Sequence, residues 1–305
     1  MWQHTKGETA LKPIEMVVLV ILAAIWGSSF LFLRIASPVF GPFMTVFLRV
    51  FVAGVALFLY SRISGKATNM AVRWKKLLIL GGINSALPFT LISTATLTLN
   101  ASMASILNST VPIFTAFVTW LWLKEPFTRQ KAAGILLGIT GVVILLGWNP
   151  QPLTTQVLLA AGCSFSAACC FALGGVYAKL NFQGVDSLTM ASGQLLGASV
   201  WLMPFALFHI PSGPVPITAA GAVMGLALIC AALAYLMYFY LIARTGPTKT
   251  LSVTYLIPFF GVLWGTLFLG ETITGSTLLG LVVILAGITL INGFIPLGRK
   301  YTRIP

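Results

Sequence analysis

The sequence predicts an all-α integral membrane protein of ten transmembrane helices, arranged as two inverted five-helix repeats. Three observations carry this expectation. Of the 305 residues, 58% are hydrophobic and only 8% charged, against about 25% charged in a soluble domain. Apolar runs of roughly 20 residues, the length that crosses a bilayer, recur along the whole chain. The second half also repeats a pattern of the first at a fixed offset of 146 residues.

The spans follow in order. The first, near 14–36, is too long for the apolar core of a signal peptide and runs into Arg34, so it is expected to be retained. The second, 43–61, carries Arg49 about two turns in. The third, 74–96, places Asn84 four residues before Pro88, followed by Phe89. The fourth, 103–123, does the same with Asn108 and Pro112. A proline inside a helix displaces the carbonyl four residues back, and in hydrocarbon something must satisfy that group. The fifth span, 128–148, and the seventh, 187–209, carry the small-residue spacings Gly134/Gly138 and Gly193/Gly197, read as close helix contacts. The sixth, 155–178, holds three of the four cysteines, which pack as small core residues. The eighth, 216–243, brings Gly221/Gly225 and then Tyr235 and Tyr238, three apart on one face. The ninth, 249–269, contains Thr254, Tyr255, Pro258 and Gly261/Gly265, and the tenth covers 275–295.

Net charge is +13, which in a soluble protein would raise the question of nucleic acid. Placement excludes it. With the N-terminus inside, 16 of the 18 basic residues fall on cytoplasmic segments, leaving Arg34 and Arg49 on the outer side. Loops such as 149–156 and 210–216 carry no formal charge. Both termini are therefore expected in the cytoplasm.

Residues 110–146 align without a gap to 256–292. Pro112 falls on Pro258, Glu125 on Glu271, Gly134 on Gly280 and Gly141 on Gly287, with Phe, Thr and two Leu identities besides. Asn108 falls on Thr254. Each half, 1–150 and 151–305, then holds five helices. An odd number makes the second half enter from the opposite side, and inverted repeats with a midplane site are a common plan of secondary transporters.

Ten helices in two such repeats, each closing on a P-x-F…L-x-L-x-E…G pattern, resemble the drug/metabolite transporter superfamily, EamA-type branch. The general likeness is greatest to the YddG-type aromatic amino-acid exporters of bacteria. The resemblance implies export of amino acids or related small metabolites across the bacterial inner membrane, by alternating access and without a cofactor. It also implies a path lined by the third, fourth, eighth and ninth spans with parts of the first and sixth.

On those spans the candidate substrate-binding residues are Trp26, Ser29, Asn84, Phe89, Asn108, Pro112, Tyr235, Tyr238, Thr254, Tyr255 and Pro258. Amides, hydroxyls, aromatic faces and freed carbonyls suit a zwitterion with an apolar side chain. The asparagines equally fit plain interhelical hydrogen bonds and the prolines plain kinks. Arg49 either snorkels outward or serves an anionic group.

The five acids, Glu8, Glu15, Glu125, Asp186 and Glu271, all lie at or near helix ends, and Glu15 alone is placed to titrate within a path. Transport without an obligatory buried-carboxylate relay is the expectation. A proton-coupled antiporter of lipophilic cations is the alternative. No cluster of acids, histidines or a serine–base pair lies within the spans, so an enzyme is not expected, nor is a metal site. The partners are a small-molecule substrate and the bilayer. No protein partner is called for, so a monomer suffices.

Overall fold

A computed structural model describes residues 12–65, 70–147, 154–250 and 252–292. The expectations for both termini, for Lys66 and for the loop at 149–153 lie outside these residues. Among the described residues every regular element is helical. Seven helices are long and apolar enough to cross a membrane: α1 (Pro13–Ile63), α2 (Ala71–Ala95), α3 (Ala101–Leu123), α4 (Arg129–Gly147), α5 (Thr155–Asn181), α6 (Ser187–Leu207) and α7 (Ile217–Thr245). Two shorter apolar helices follow, α8 (Val253–Leu269) and α9 (Gly275–Ile291). At 17 residues each, they sit at the lower end of what spans hydrocarbon.

α1 is 51 residues long, roughly 75 Å if straight, more than twice the hydrocarbon thickness. It is not straight. Gly41 has φ 71° and ψ 161°, flanked by Pro38 and Pro42, so 13–40 and 42–63 are separate helical arms. A β-carbon is unfavourable at that φ, and glycine adopts it at no steric cost.

The prolines act differently in the two halves. α3 is interrupted at Ser109–Thr110, immediately before Pro112. Short-range bonds replace the helical ladder there, from Thr110 N–H to Leu107 O at 3.1 Å and from Ile113 N–H to Thr110 O at 2.8 Å. α8 runs through Pro258 without interruption. Its break comes earlier, at Ser252, which follows a one-turn helix, Pro247–Thr250, and the turn at Gly246 with φ 81°. The expected pair of breaks is thus shifted by about one turn in the second half.

Two stretches are π-helical, Gly82–Ala86 within α2 and Gly225–Leu233 within α7. At the 146-residue offset, 82–86 corresponds to 228–232, inside the second stretch. A π turn carries an extra residue and re-aims the side chains beyond it, and such turns gather at functional sites.

Glycines set the closest helix contacts. A β-carbon on Gly134 would meet Gly287 O at 2.6 Å, and one on Gly141 would meet Gly280 O at 2.9 Å. The start of α4 therefore lies against the end of α9 and the reverse, so the pair is antiparallel with backbones touching. Gly193 and Gly197 seat Leu77 of α2, Gly225 seats Phe32, and Gly261 and Gly265 seat Ser105 and Ser102 of α3. Gly221, expected at a contact, has open space around it.

Two glutamates joined by the repeat have different partners. Glu271 accepts from Ala101 N–H at 2.6 Å, Ser102 N–H at 3.0 Å and Ser102 Oγ at 2.5 Å, so it caps α3 from across the bundle. Its mate Glu125 instead faces Lys131 at 3.5 Å and Lys179 at 3.6 Å, at the opposite end of α3.

Candidate functional site

The π turn in α2 carries Asn84, which packs onto Gly174 of α5. Asn84 Nδ2 donates to Gln194 Oε1 of α6 at 3.1 Å, and Gln194 Nε2 donates to Tyr235 Oη of α7 at 3.0 Å. Three helices are tied by this one directed chain. One turn further along α2, Phe89 lies edge-on to Phe171 of α5, ring centroids 5.6 Å apart. Over the Phe89 ring stands Arg49 of α1, its guanidinium carbon 4.0 Å from the ring centre. Arg49 is 5% exposed and within Coulombic reach of Tyr235 and Cys230.

An aromatic wall continues from Tyr235. Its ring stacks on Phe239 at 5.8 Å, Phe239 meets Tyr238 at 6.0 Å, and Tyr238 meets Trp26 of α1 at 5.4 Å. Ser28 Oγ lies 3.5 Å from Cys230 Sγ, which donates to Ile25 O. Ser29 Oγ is buried beside the same sulfur.

Of the expected residues, Ser29, Asn84, Phe89, Tyr235, Tyr238 and Trp26 thus fall along one connected surface. The α3–α8 residues are distributed differently. Asn108 ends the first segment of α3, its Oδ1 buried without a partner, and Pro112 opens the second segment. Pro258 is buried within α8, and Thr254 is half-buried one turn earlier. Tyr255 turns toward α9: its hydroxyl accepts from Asn292 Nδ2 at 2.6 Å and donates to Ile288 O at 3.4 Å. It is not part of the Tyr235 cluster.

Sequence reasoning missed Gln194, the centre of the chain. The signal was present, since an amide inside an apolar span is the same cue that singled out Asn84 and Asn108. Glu15, the acid placed to titrate in a path, accepts from Lys12 N–H at 2.9 Å and caps the start of α1. Among the described residues no group of His, Cys, Asp and Glu is arranged to hold a metal. The connected surface presents amide, hydroxyl and ring-face groups side by side.

The model of the EamA-like transporter family matches the chain twice, over residues 14–147 and 158–293. The chain belongs to that family. Among its EamA relatives is an uncharacterized transporter of Bacillus subtilis, YvbV, 28% identical over 299 residues, covering 96% of this chain and 94% of the relative. Another, from Streptantibioticus cattleyicolor, is named a probable terminal-alkyne amino-acid exporter and is 24% identical over 279 residues, covering 90% and 92%. A crystal structure matches 92% of this chain and 96% of its own at TM-score 0.65 and 15% identity, a likeness of fold alone. This EamA protein is a multi-pass membrane transporter of small molecules rather than an enzyme.

Proposed function

We propose that this EamA-family protein exports amino acids, aromatic ones included, across the bacterial inner membrane by alternating access between two inverted repeats. The observation that carries the reading is the chain Asn84–Gln194–Tyr235 with its aromatic wall to Trp26. It offers polar groups for a zwitterion at one end and ring faces for an apolar side chain along the rest. The exporter name of the Streptantibioticus relative supports the substrate class.

Three observations support two five-helix repeats, 1–150 and 151–305. The family model matches twice. The π turns recur at the repeat offset. The glycine contacts are reciprocal: Gly134 and Gly280 are repeat mates, as are Gly141 and Gly287, and each touches the other's mate across an antiparallel pair. That cross-pairing is what a two-fold axis between copies produces. Counting the arms of α1 separately, ten membrane crossings result, with both termini cytoplasmic by the charge rule.

Glu15, engaged as a helix cap, is read as structural, so transport needs no carboxylate proton relay. Purified protein in liposomes tests this with a panel of amino acids, with and without a pH gradient. Aromatic amino acids are expected to enter under both conditions, and Glu15→Gln to leave uptake intact in folded protein. Uptake confined to lipophilic cations, driven by the pH gradient, would replace this reading with a multidrug antiporter.

A further inference from the structure

We propose that Arg49 anchors the carboxylate of the transported molecule, making the Arg49–Tyr235 corner a carboxylate-recognition site; this rests on the amino-acid reading above. The inference comes from an imbalance of donors and acceptors. Among the described residues Arg49 makes no ion pair or hydrogen bond, and its Nε is buried without a partner. Its guanidinium rests on the face of Phe89 at 4.0 Å. A ring face offsets only part of the cost of taking a guanidinium out of water.

Three other cations at the helices have oxygen partners. Arg34, on the same element, donates to Thr96 O at 2.6 Å and Leu97 O at 2.9 Å, the carbonyls just beyond α2. Lys131 and Lys179 face Glu125. Arg49 is therefore not a cation the bundle has arranged to neutralise.

The neighbouring polar groups add to the excess. Asn84 donates to Gln194 and Gln194 donates to Tyr235, so the Tyr235 oxygen is used as an acceptor and its O–H remains to donate. No acceptor for that proton is recorded among the described residues. The guanidinium over Phe89 and the Tyr235 O–H, within Coulombic reach of it, thus both lack an acceptor among the described residues. A carboxylate satisfies both, taking the guanidinium side-on and accepting the tyrosine proton on a remaining lone pair. Phosphate dianion would call for a second cation, which the corner does not have. Phe171 against Phe89, and the rings from Phe239 to Trp26 beyond Tyr235, supply faces for an apolar side chain.

Two measurements on the full-length protein in liposomes test this, using L-phenylalanine and L-phenylalaninamide as probes. Wild type is expected to favour the acid by at least about 30-fold, the loss typical when one partner of a buried charged pair is removed. In Arg49→Gln the preference should fall below about 3-fold, with amide uptake retained, while Arg49→Lys keeps part of it. Retention of the acid preference by a folded Arg49→Gln would overturn the proposal. The second measurement needs no variant: phenylglyoxal labelling of wild-type Arg49, read by mass spectrometry. L-Phenylalanine should protect the Arg49 peptide and its amide should not. Labelling that is absent throughout, or indifferent to the acid, overturns the proposal. If wild type takes up no amino acid, the substrate reading fails separately, and protection by benzoate still decides whether Arg49 receives a carboxylate.

Discussion

Replacing Glu271 by alanine should destabilise the protein far more than the same change at its repeat mate Glu125. Glu271 accepts three hydrogen bonds at the start of α3, where Ala101 is fully buried and Ser102 is 5% exposed. Alanine leaves two helix-terminal N–H groups without acceptors, at ~1–3 kcal/mol each. The carboxylate also sits at the positive end of a helix, which adds ~0.3–1 kcal/mol. Half-exposure at Glu271 lets water recover part of this, so the lower part of the range applies, ~2–3 kcal/mol in total. Glu125 has two lysine contacts of 3.5 and 3.6 Å and is 39% exposed, a setting where pairs contribute ~0–1 kcal/mol. Glu271→Gln keeps one acceptor oxygen and should fall between wild type and alanine. Thermal unfolding of the purified variants in one detergent gives the ranking. Equal midpoints for Glu271→Ala and Glu125→Ala would refute the assignment of Glu271 as a cap.

Three further outcomes are expected. Alanine at both Asn108 and Thr254 should cut initial uptake in liposomes by at least about tenfold while leaving folded yield unchanged, if site polarity rather than packing is lost; unchanged uptake of every substrate would assign both to packing. Gly287→Ala places a methyl 2.5 Å from Gly134 O and 2.8 Å from Gly138 N, an overpacking that should cost ~1–3 kcal/mol and lower the unfolding midpoint. Gln194→Leu removes the partner of both Asn84 and Tyr235 and should weaken amino-acid uptake about tenfold or more while amide uptake changes less; equal losses for acid and amide would make the chain merely structural.

The spans were legible because hydrocarbon sets both the length and the composition of what crosses it. Even the two arms of α1 could be separated by their apolar runs, although the turn between them, at Gly41, lies within the residues that run on helically. The α3 break was legible from Pro112, since a missing N–H acts locally. The α8 break was misplaced because Pro258 is absorbed within a continuous helix, while the break lies ahead of it at Ser252, after the one-turn helix Pro247–Thr250. The π turns left no trace in the apolar pattern, for a single added residue changes direction without changing composition. Glu271 and Arg34 have partners 170 and 62 residues away, and no local rule connects such positions. Asn84 and Phe89 were legible from the amide-to-proline spacing at Pro88, and Tyr235 from its three-residue spacing to Tyr238; Gln194 has no proline four residues on and escaped that cue.

The glycine seam between α4 and α9 has a practical consequence for following the transport cycle. Helices whose backbones touch at two glycine pairs have little room to slide past one another, so this pair is expected to move as one piece. Leu136 and Val282 point outward from it, 67% and 62% exposed. Spin labels at those two positions should report one fixed separation in every state, giving a built-in ruler against which displacements of α1, α2, α6 and α7 are measured.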